Sequence, residues 1–250
     1  MKSFFVDNEG IAIHVLESGT PKTGIPSLLV IGGIWDPAER AIPIHNLESH
    51  VVSFSFRGRG LSSTPEFGYD LEDHLSDIRE VVKACALNDY CVLGFSRGAA
   101  YTLGWYLTKE TRISGLILVD QAPIHRKIPF ESLNFWCNMV YQEVPVANYM
   151  RSEAFVGLSR DAIERDFTSE LVTIDCPVRL FVGTSSQSKM PSGLSAESMA
   201  KYTENVKNIS FVEFEKSGHM IPDEDTEKYL EEIQQFIETL KEKSNDAHLR

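Results

Sequence analysis

The chain has 250 residues, 36 acidic against 24 basic for a formal charge of −12, and 42% of them are hydrophobic. That is ordinary usage for one large domain, or one domain with an insertion, and it excludes disordered, collagenous and coiled-coil classes. The acidic balance argues against nucleic acid as a partner, since phosphate backbones are held by Lys and Arg clusters, and no apolar run is long enough for a membrane-spanning helix.

In chain order, Ile11–Glu17, Ser27–Gly32 and Val51–Phe56 read as strands. The run Leu28-Leu29-Val30-Ile31 is apolar without alternation, as in a strand covered on both faces. Asp70–Cys85 puts Leu71, Leu75, Ile78, Val82 and Cys85 on one helix face. Tyr90–Phe95 reads as a strand, and Arg97–Lys109 as a helix whose small residues Gly98, Ala99 and Ala100 let it sit close on a sheet. Strands follow at Ser114–Asp120, Val178–Gly183 and Ile209–Glu215. A last helix carries the stripe Tyr229, Ile233, Phe236, Ile237 and Leu240, with Asp223, Glu224 and Asp225 in its first turn and Lys241 and Lys243 in its last. Strand–helix alternation of this kind predicts an α/β class with an open, mostly parallel sheet of about eight strands and helices on both faces. Residues 121–176 break the alternation. They are rich in aromatics, interrupted by Pro123, Pro129 and Pro145, and read as an inserted helical cap on a core made of 1–120 and 177–243, with 244–250 a polar, frayed tail. Asp7 and Glu9 interrupt any secretory leader, and Cys85, Cys91, Cys137 and Cys176 form no CxxC pair, so a cytoplasmic setting is expected.

Gly94-Phe95-Ser96-Arg97-Gly98 follows one strand and opens the next helix. A nucleophilic serine needs a sharp turn at a strand's carboxyl end, with glycines relieving the crowding and the helix start supplying an oriented N–H. A helix-capping serine would also fit the turn; the strand before and helix after favour the nucleophile. Its hydroxyl needs a base. Among seven histidines, His219 in Ser217-Gly218-His219-Met220 lies after the last strand, in a loop that opens on the same sheet edge. His14, His45, His50, His74 and His125 have no such placement, His248 is in the tail, and no HxxxH or HExxH spacing predicts a metal.

With these motifs in place, the sequence resembles the α/β-hydrolase superfamily over nearly its whole length. Ile31-Gly32-Gly33-Ile34-Trp35 resembles that family's oxyanion loop after the third strand, and Arg57-Gly58-Arg59-Gly60-Leu61-Ser62 its R-G-x-G-x-S turn after the fourth. The elbow Gly94–Gly98 and the pair Gly218-His219 complete the order. The resemblance implies the chain order serine, acid, histidine and a cap after the sixth strand. Many members have His-Gly where this chain has Gly32-Gly33; the donors are backbone amides, assigned here to Ile34 and Arg97. The family's usual acid after the seventh strand is missing from Gly183 through Lys189. The other family location is the end of the sixth strand, where Asp120 stands, although an Asp there also serves as a turn cap.

The expected function is cofactor-independent hydrolysis of a small ester or related acyl compound by Ser96, His219 and Asp120, with that small-molecule acyl substrate as the only partner indicated. A perhydrolase or carbon–carbon bond hydrolase uses the same triad. From another class, a ligand-sensing or partner-binding member with little turnover stays open because of the missing acid. Asp36 reads as a helix cap before Pro37 more readily than as a charge in the pocket, and Arg57 as a structural tie. Arg97 either meets an anionic substrate or points outward to solubilise its helix, with the outward reading favoured. The start of a dinucleotide fingerprint at Gly58-Arg59-Gly60 fails at Ser63.

Overall fold

The computed structural model describes residues 1–248, with side chains as far as Lys241. Its main strands are β1 (Lys2–Asn8), β2 (Ile11–Ser18), β3 (Ser27–Ile31), β4 (Val51–Phe54), β5 (Tyr90–Phe95), β6 (Ile113–Val119), β7 (Val178–Gly183) and β8 (Ile209–Phe214). They join in one eight-stranded sheet in the order β1-β2-β4-β3-β5-β6-β7-β8. β1 pairs antiparallel with β2, and β2 antiparallel with β4; every other pairing in the sheet is parallel.

The unbroken apolar runs have a simple cause. Along β3, Leu29 and Ile31 face one core, where they meet Leu71, Leu75 and Ile78 of α1 (Leu71–Ala84) and the small residues of α2 (Arg97–Thr108). Leu28 and Val30 face the other core, with Ile233, Phe236 and Ile237 of the C-terminal helix. Period-two alternation thus serves two hydrophobic layers at once.

The strand β1 was not expected. It is an edge strand with only Val6 and Asn8 buried, so it lacks the buried run that marks the others. Residues 121–176 are less helical than their composition predicts. They hold α3 (Leu133–Asn138) and α4 (Ser152–Asp161), several 3-10 turns, and two-residue ladders pairing Ile124–His125 with Arg165–Asp166 and Val140–Tyr141 with Val144–Pro145. Trp35 of the loop after β3 packs on Trp136 (5.8 Å) and Tyr141 (6.2 Å), which ties this segment to the core beside the site. An additional helix, α5 (Ala196–Asn205), is capped by Ser195, whose Oγ accepts the Ser198 N–H.

The acids expected in one helix's first turn are divided: α6 (Ile221–Glu224) is a single turn holding Asp223 and Glu224, and α7 (Thr226–His248) starts after Asp225. The segment expected as a frayed tail from Ser244 continues α7 to His248; residues 249 and 250 lie outside the described residues. Among the described residues no helix is long and apolar enough to cross a membrane.

Two features set the floor of the site. Arg57 forks onto Asp77, Nη2 to Oδ1 at 2.7 Å and Nε to Oδ2 at 3.0 Å, a buried bidentate pair that fixes the turn after β4 on α1. The carboxyl ends of β3, β5, β6 and β7 then open together, the edge on which open α/β sheets build their sites.

Candidate active site

Ser96 stands between β5 and α2 at φ 52° and ψ −128°, a conformation few L-residues adopt. Its own N–H donates to Val119 O at 2.9 Å and its carbonyl accepts from Ala99 N at 2.8 Å, so the backbone holds the strain from both sides. The flanking glycines are required by contact. A Cβ on Gly98 would strike the carbonyl oxygens of Ile31 and Gly32, and one on Gly94 would strike Thr102 Oγ1. The serine itself is half-buried, so its hydroxyl is accessible at the mouth of the turn.

His219 lies in the loop after β8, its N–H donating to Met190 O at 2.8 Å. Its Nε2 is 2.8 Å from Ser96 Oγ and its Nδ1 is 2.8 Å from Asp120 Oδ2. Asp120 follows β6 directly, fully buried and at φ 49°. Oδ1 accepts from Gly183 N (3.1 Å) and Ser192 Oγ (2.6 Å), and Oδ2 accepts from Gly193 N (2.6 Å) besides His219. Every one of these four neighbours donates to the carboxylate. With Asp120 accepting at Nδ1–H, Nε2 of a neutral His219 is left to receive the serine proton.

Sequence reasoning does not find Ser192 and Gly193, which lie in the Ser/Gly/Pro stretch 191–195 with no carboxylate or histidine to mark it. The loop Thr184–Gln187 supplies no carboxylate, and the end of β7 meets Asp120 through the Gly183 N–H.

Among the described residues, the backbone N–H groups of Ile34 and Arg97 have no acceptor, and Arg97 follows Ser96 directly at the start of α2. The loop carrying Ile34 is pinned by Asp36, whose Oδ2 accepts the Gly33 N–H at 2.8 Å. Asp36 therefore turns back to Gly33 in the loop after β3 rather than forward as a cap; Pro37 occupies the N-cap position of the 3-10 turn Ala38–Ala41. Arg40 Nε approaches Asp36 Oδ1 at 3.5 Å and Arg40 Nη2 reaches Asp223 at 2.6 Å. Asp36 and Arg40 also line a cavity of about 270 Å³ under the loop, with Phe95 and Tyr229; Ser96 and His219 are not on its wall.

Burial raises the Asp36 carboxyl above its ordinary 3.8, outweighing Arg40 and the Gly33 hydrogen bond. Its proton is thus held more tightly in the folded than in the unfolded chain, and stability falls as pH rises from that ordinary value until folded Asp36 has ionised. Asp36→Asn keeps the acceptor for Gly33 without the charge. Its thermal midpoint is expected to exceed the wild type's at neutral pH, with the advantage shrinking as pH drops toward the ordinary carboxylate value. A difference that stays constant across thermal scans from pH 8 to pH 4 would mean that Asp36 ionisation does not oppose folding.

Arg97 does not point outward. Its side chain is buried, with Nε on Tyr101 Oη at 2.8 Å and Nη2 on His125 Nε2 at 3.0 Å. His125, which no sequence pattern marks, is brought beside Arg97 by the short strand after β6.

This fold, with a serine on the β5–α2 turn and a histidine after β8, defines a class. The profile of the alpha/beta hydrolase family matches residues 28–232, and the chain belongs to that family. It is 21% identical to 2-(acetamidomethylene)succinate hydrolase of Mesorhizobium japonicum over 218 residues, which span 85% of this chain and 77% of that protein. It is also 34% identical to the human serine hydrolase-like protein over 100 residues, 38% of this chain and 49% of that one. The solved structure of the esterase EaEST from Exiguobacterium antarcticum superposes with a TM-score of 0.73 at 20% identity, covering 95% of this chain and all of that one, and shares the fold.

Proposed function

We propose that the protein is a serine hydrolase that cleaves a short ester or related acyl compound through an acyl-enzyme, with no cofactor. The observation that carries this reading is the 2.8 Å approach of Ser96 Oγ to His219 Nε2, with Asp120 behind the ring at the same distance. The relatives named as a hydrolase and an esterase support it.

In this mechanism Ser96 Oγ attacks the substrate carbonyl carbon while its proton passes to His219 Nε2. Asp120 stabilises the imidazolium that forms, and the N–H groups of Ile34 and Arg97 receive the oxyanion. The intermediate collapses by breaking the bond to the leaving group, which takes the proton from His219 Nε2. Water then attacks the acyl-serine, giving one proton to His219, and collapse returns that proton to Ser96 as the acid product leaves. Segment 121–176 acts as the cap, with the aromatic contact of Trp136 on Trp35 narrowing the approach. That enclosure favours small and medium acyl groups over lipid chains.

The test is labelling with a fluorophosphonate, followed by peptide mapping, beside turnover of short-chain aryl esters. Rapid labelling at Ser96 with ester turnover is expected. Equal labelling of Ser62 or Ser185, or none at all, would remove Ser96 as the nucleophile.

A further inference from the structure

The cavity of about 270 Å³ under the loop after β3 takes no part in the reaction at Ser96, although it has room for several water-sized groups. Val30 of β3 and Leu93 of β5 give it a buried apolar floor on the sheet, with Ala41 and Ile44 beside them. Asp36, Arg40, Asp223 and Tyr229 supply a polar wall. Gln142 of the cap is exposed and Asp223 of α6 partly so, and between them the cavity opens to solvent. On the side of Ser96 it is closed by Gly32 and by Phe95, whose ring lies 5.4 Å from that of His219.

The polar wall holds two carboxylates for one guanidinium. Arg40 Nη2 donates to Asp223 Oδ2 at 2.6 Å, while Arg40 Nε stands 3.5 Å from Asp36 Oδ1, beyond ordinary hydrogen-bond range. Tyr141 Oη also donates to Asp223 Oδ2, at 2.8 Å, and Gly33 N to Asp36 Oδ2. Asp36 Oδ1 and Asp223 Oδ1 are thus left without a hydrogen-bond donor among the described residues. A third acceptor stands with them. Tyr229 is only 3% exposed and lies on the cavity wall, yet its hydroxyl has no partner among the described residues. Burial pushes the pKa of that hydroxyl up, and Asp36 and Asp223 are close enough to push it further, so it shares their surroundings. Buried oxygens without donors carry a cost that this chain's own groups do not offset.

We propose that this cavity is a binding site, separate from the triad, for a small primary alkylammonium compound. Its head is held by Asp36, Asp223 and Tyr229, and its short apolar body lies on Val30, Ala41 and Leu93. An ammonium brings three donors to three free acceptors, and its charge balances the carboxylate that Arg40 leaves over. An alcohol of the same length brings one donor and no charge. A carboxylate meets Asp36 and Asp223 as a like charge. Because Phe95 and Gly32 stand between this site and Ser96, its occupant is not the acyl group under attack. The site therefore stands whether or not Ser96 turns over an ester.

The experiment is calorimetry at neutral pH with pentylammonium, pentan-1-ol and pentanoate, which share one chain length. Pentylammonium is expected to bind at least about 10-fold more tightly than pentan-1-ol, and pentanoate more weakly still. Asp223→Asn, which leaves Asp36 and Arg40 as a balanced pair, is expected to lower the pentylammonium affinity about 10-fold. Ala41→Leu, which fills the apolar part of the cavity, is expected to abolish binding. Tyr229→Phe separates a ligand role from a structural one: with no protein partner to lose, its thermal midpoint is expected to be no lower than the wild type's, while the affinity falls about 3–10-fold. Protein labelled at Ser96 with a fluorophosphonate is expected to bind pentylammonium as before. Equal affinities for the three probes, or an affinity unchanged by both Asp223→Asn and Ala41→Leu, overturn the site. Loss of binding on labelling places the cation in the catalytic pocket and overturns a separate site, with the hydrolase reading intact. A protein that takes no label and turns over no ester, but binds pentylammonium with these dependences, supports the cation site while the hydrolase reading fails. Should the variants not fold, the wild-type preference for pentylammonium over pentan-1-ol decides alone.

Discussion

Ser96→Ala is expected to lower kcat on a short-chain aryl ester by about 10⁵-fold while leaving the thermal midpoint within ~2 °C of the wild type. The change removes one hydroxyl and no backbone contact. Alanine keeps a Cβ at φ 52° and ψ −128°, so the strain of the turn stays, and His219 keeps its bond to Asp120 with part of its side chain open to solvent. What activity remains comes from the oxyanion donors and from binding. Ser96→Gly separates strain from chemistry. It loses activity equally, yet removes the Cβ from a region that costs an L-residue about 1–3 kcal/mol, against about 0.5–1 kcal/mol for glycine's greater freedom when unfolded. The net gain of about 1 kcal/mol would raise the midpoint by about 2–4 °C in a chain of this size. Ser96→Ala with kcat within tenfold of the wild type would end the nucleophile assignment. Ser96→Gly melting below Ser96→Ala would show that the turn stores no strain.

Parts of this molecule were legible because a local physical demand leaves a mark in the sequence. β3 is readable since Leu28 to Ile31 must be apolar toward two cores at once, and the elbow is readable since Gly94 and Gly98 sit where any Cβ would meet backbone or side-chain oxygen. β1 was not readable, because an edge strand with Phe5 exposed has no such demand on it. Segment 121–176 misled through its composition: two-residue ladders are too short to show a period, and proline spacing does not say which turns are 3-10. The site divides along the same line. Ser96 and Asp120 each stand at the end of a predictable strand, and His219 lies in the loop that follows one. The groups that set their surroundings, Ser192 and Gly193 on Asp120 and His125 on Arg97, come from distant loops and have no local pattern. Asp36 was misread because Asp-Pro is a common helix start, and only the fold shows that Gly33 is the nearer donor.

Asp120→Asn is expected to lower kcat about 10³-fold with KM changed only a few-fold, since Asp120 is buried behind His219 and away from the substrate. The loss has two causes. Asparagine has no charge to stabilise the imidazolium in the transition state, and it has one acceptor oxygen where the carboxylate has two. All four neighbours, Gly183 N, Ser192 Oγ, Gly193 N and His219 Nδ1, donate to the carboxylate. The amide NH₂ must therefore face a donor. Turned toward His219 it would force the ring to accept at Nδ1, and Nε2 would then carry a proton and could not take one from Ser96. Turned the other way it meets Ser192, whose hydroxyl can rotate to accept, and the Gly183 N–H, which cannot. Ser192 thus acts only through the state of Asp120. Ser192→Ala alone is expected to lower kcat roughly 5-fold, and its effect in the Asp120→Asn background to differ from that, because there the hydroxyl no longer supports a charge but accepts from the amide. Full additivity of the two changes would mean that Ser192 works by another route. Near-normal kcat in Asp120→Asn, in a protein that melts normally, would reduce Asp120 to a turn residue and leave Ser96 and His219 as a dyad.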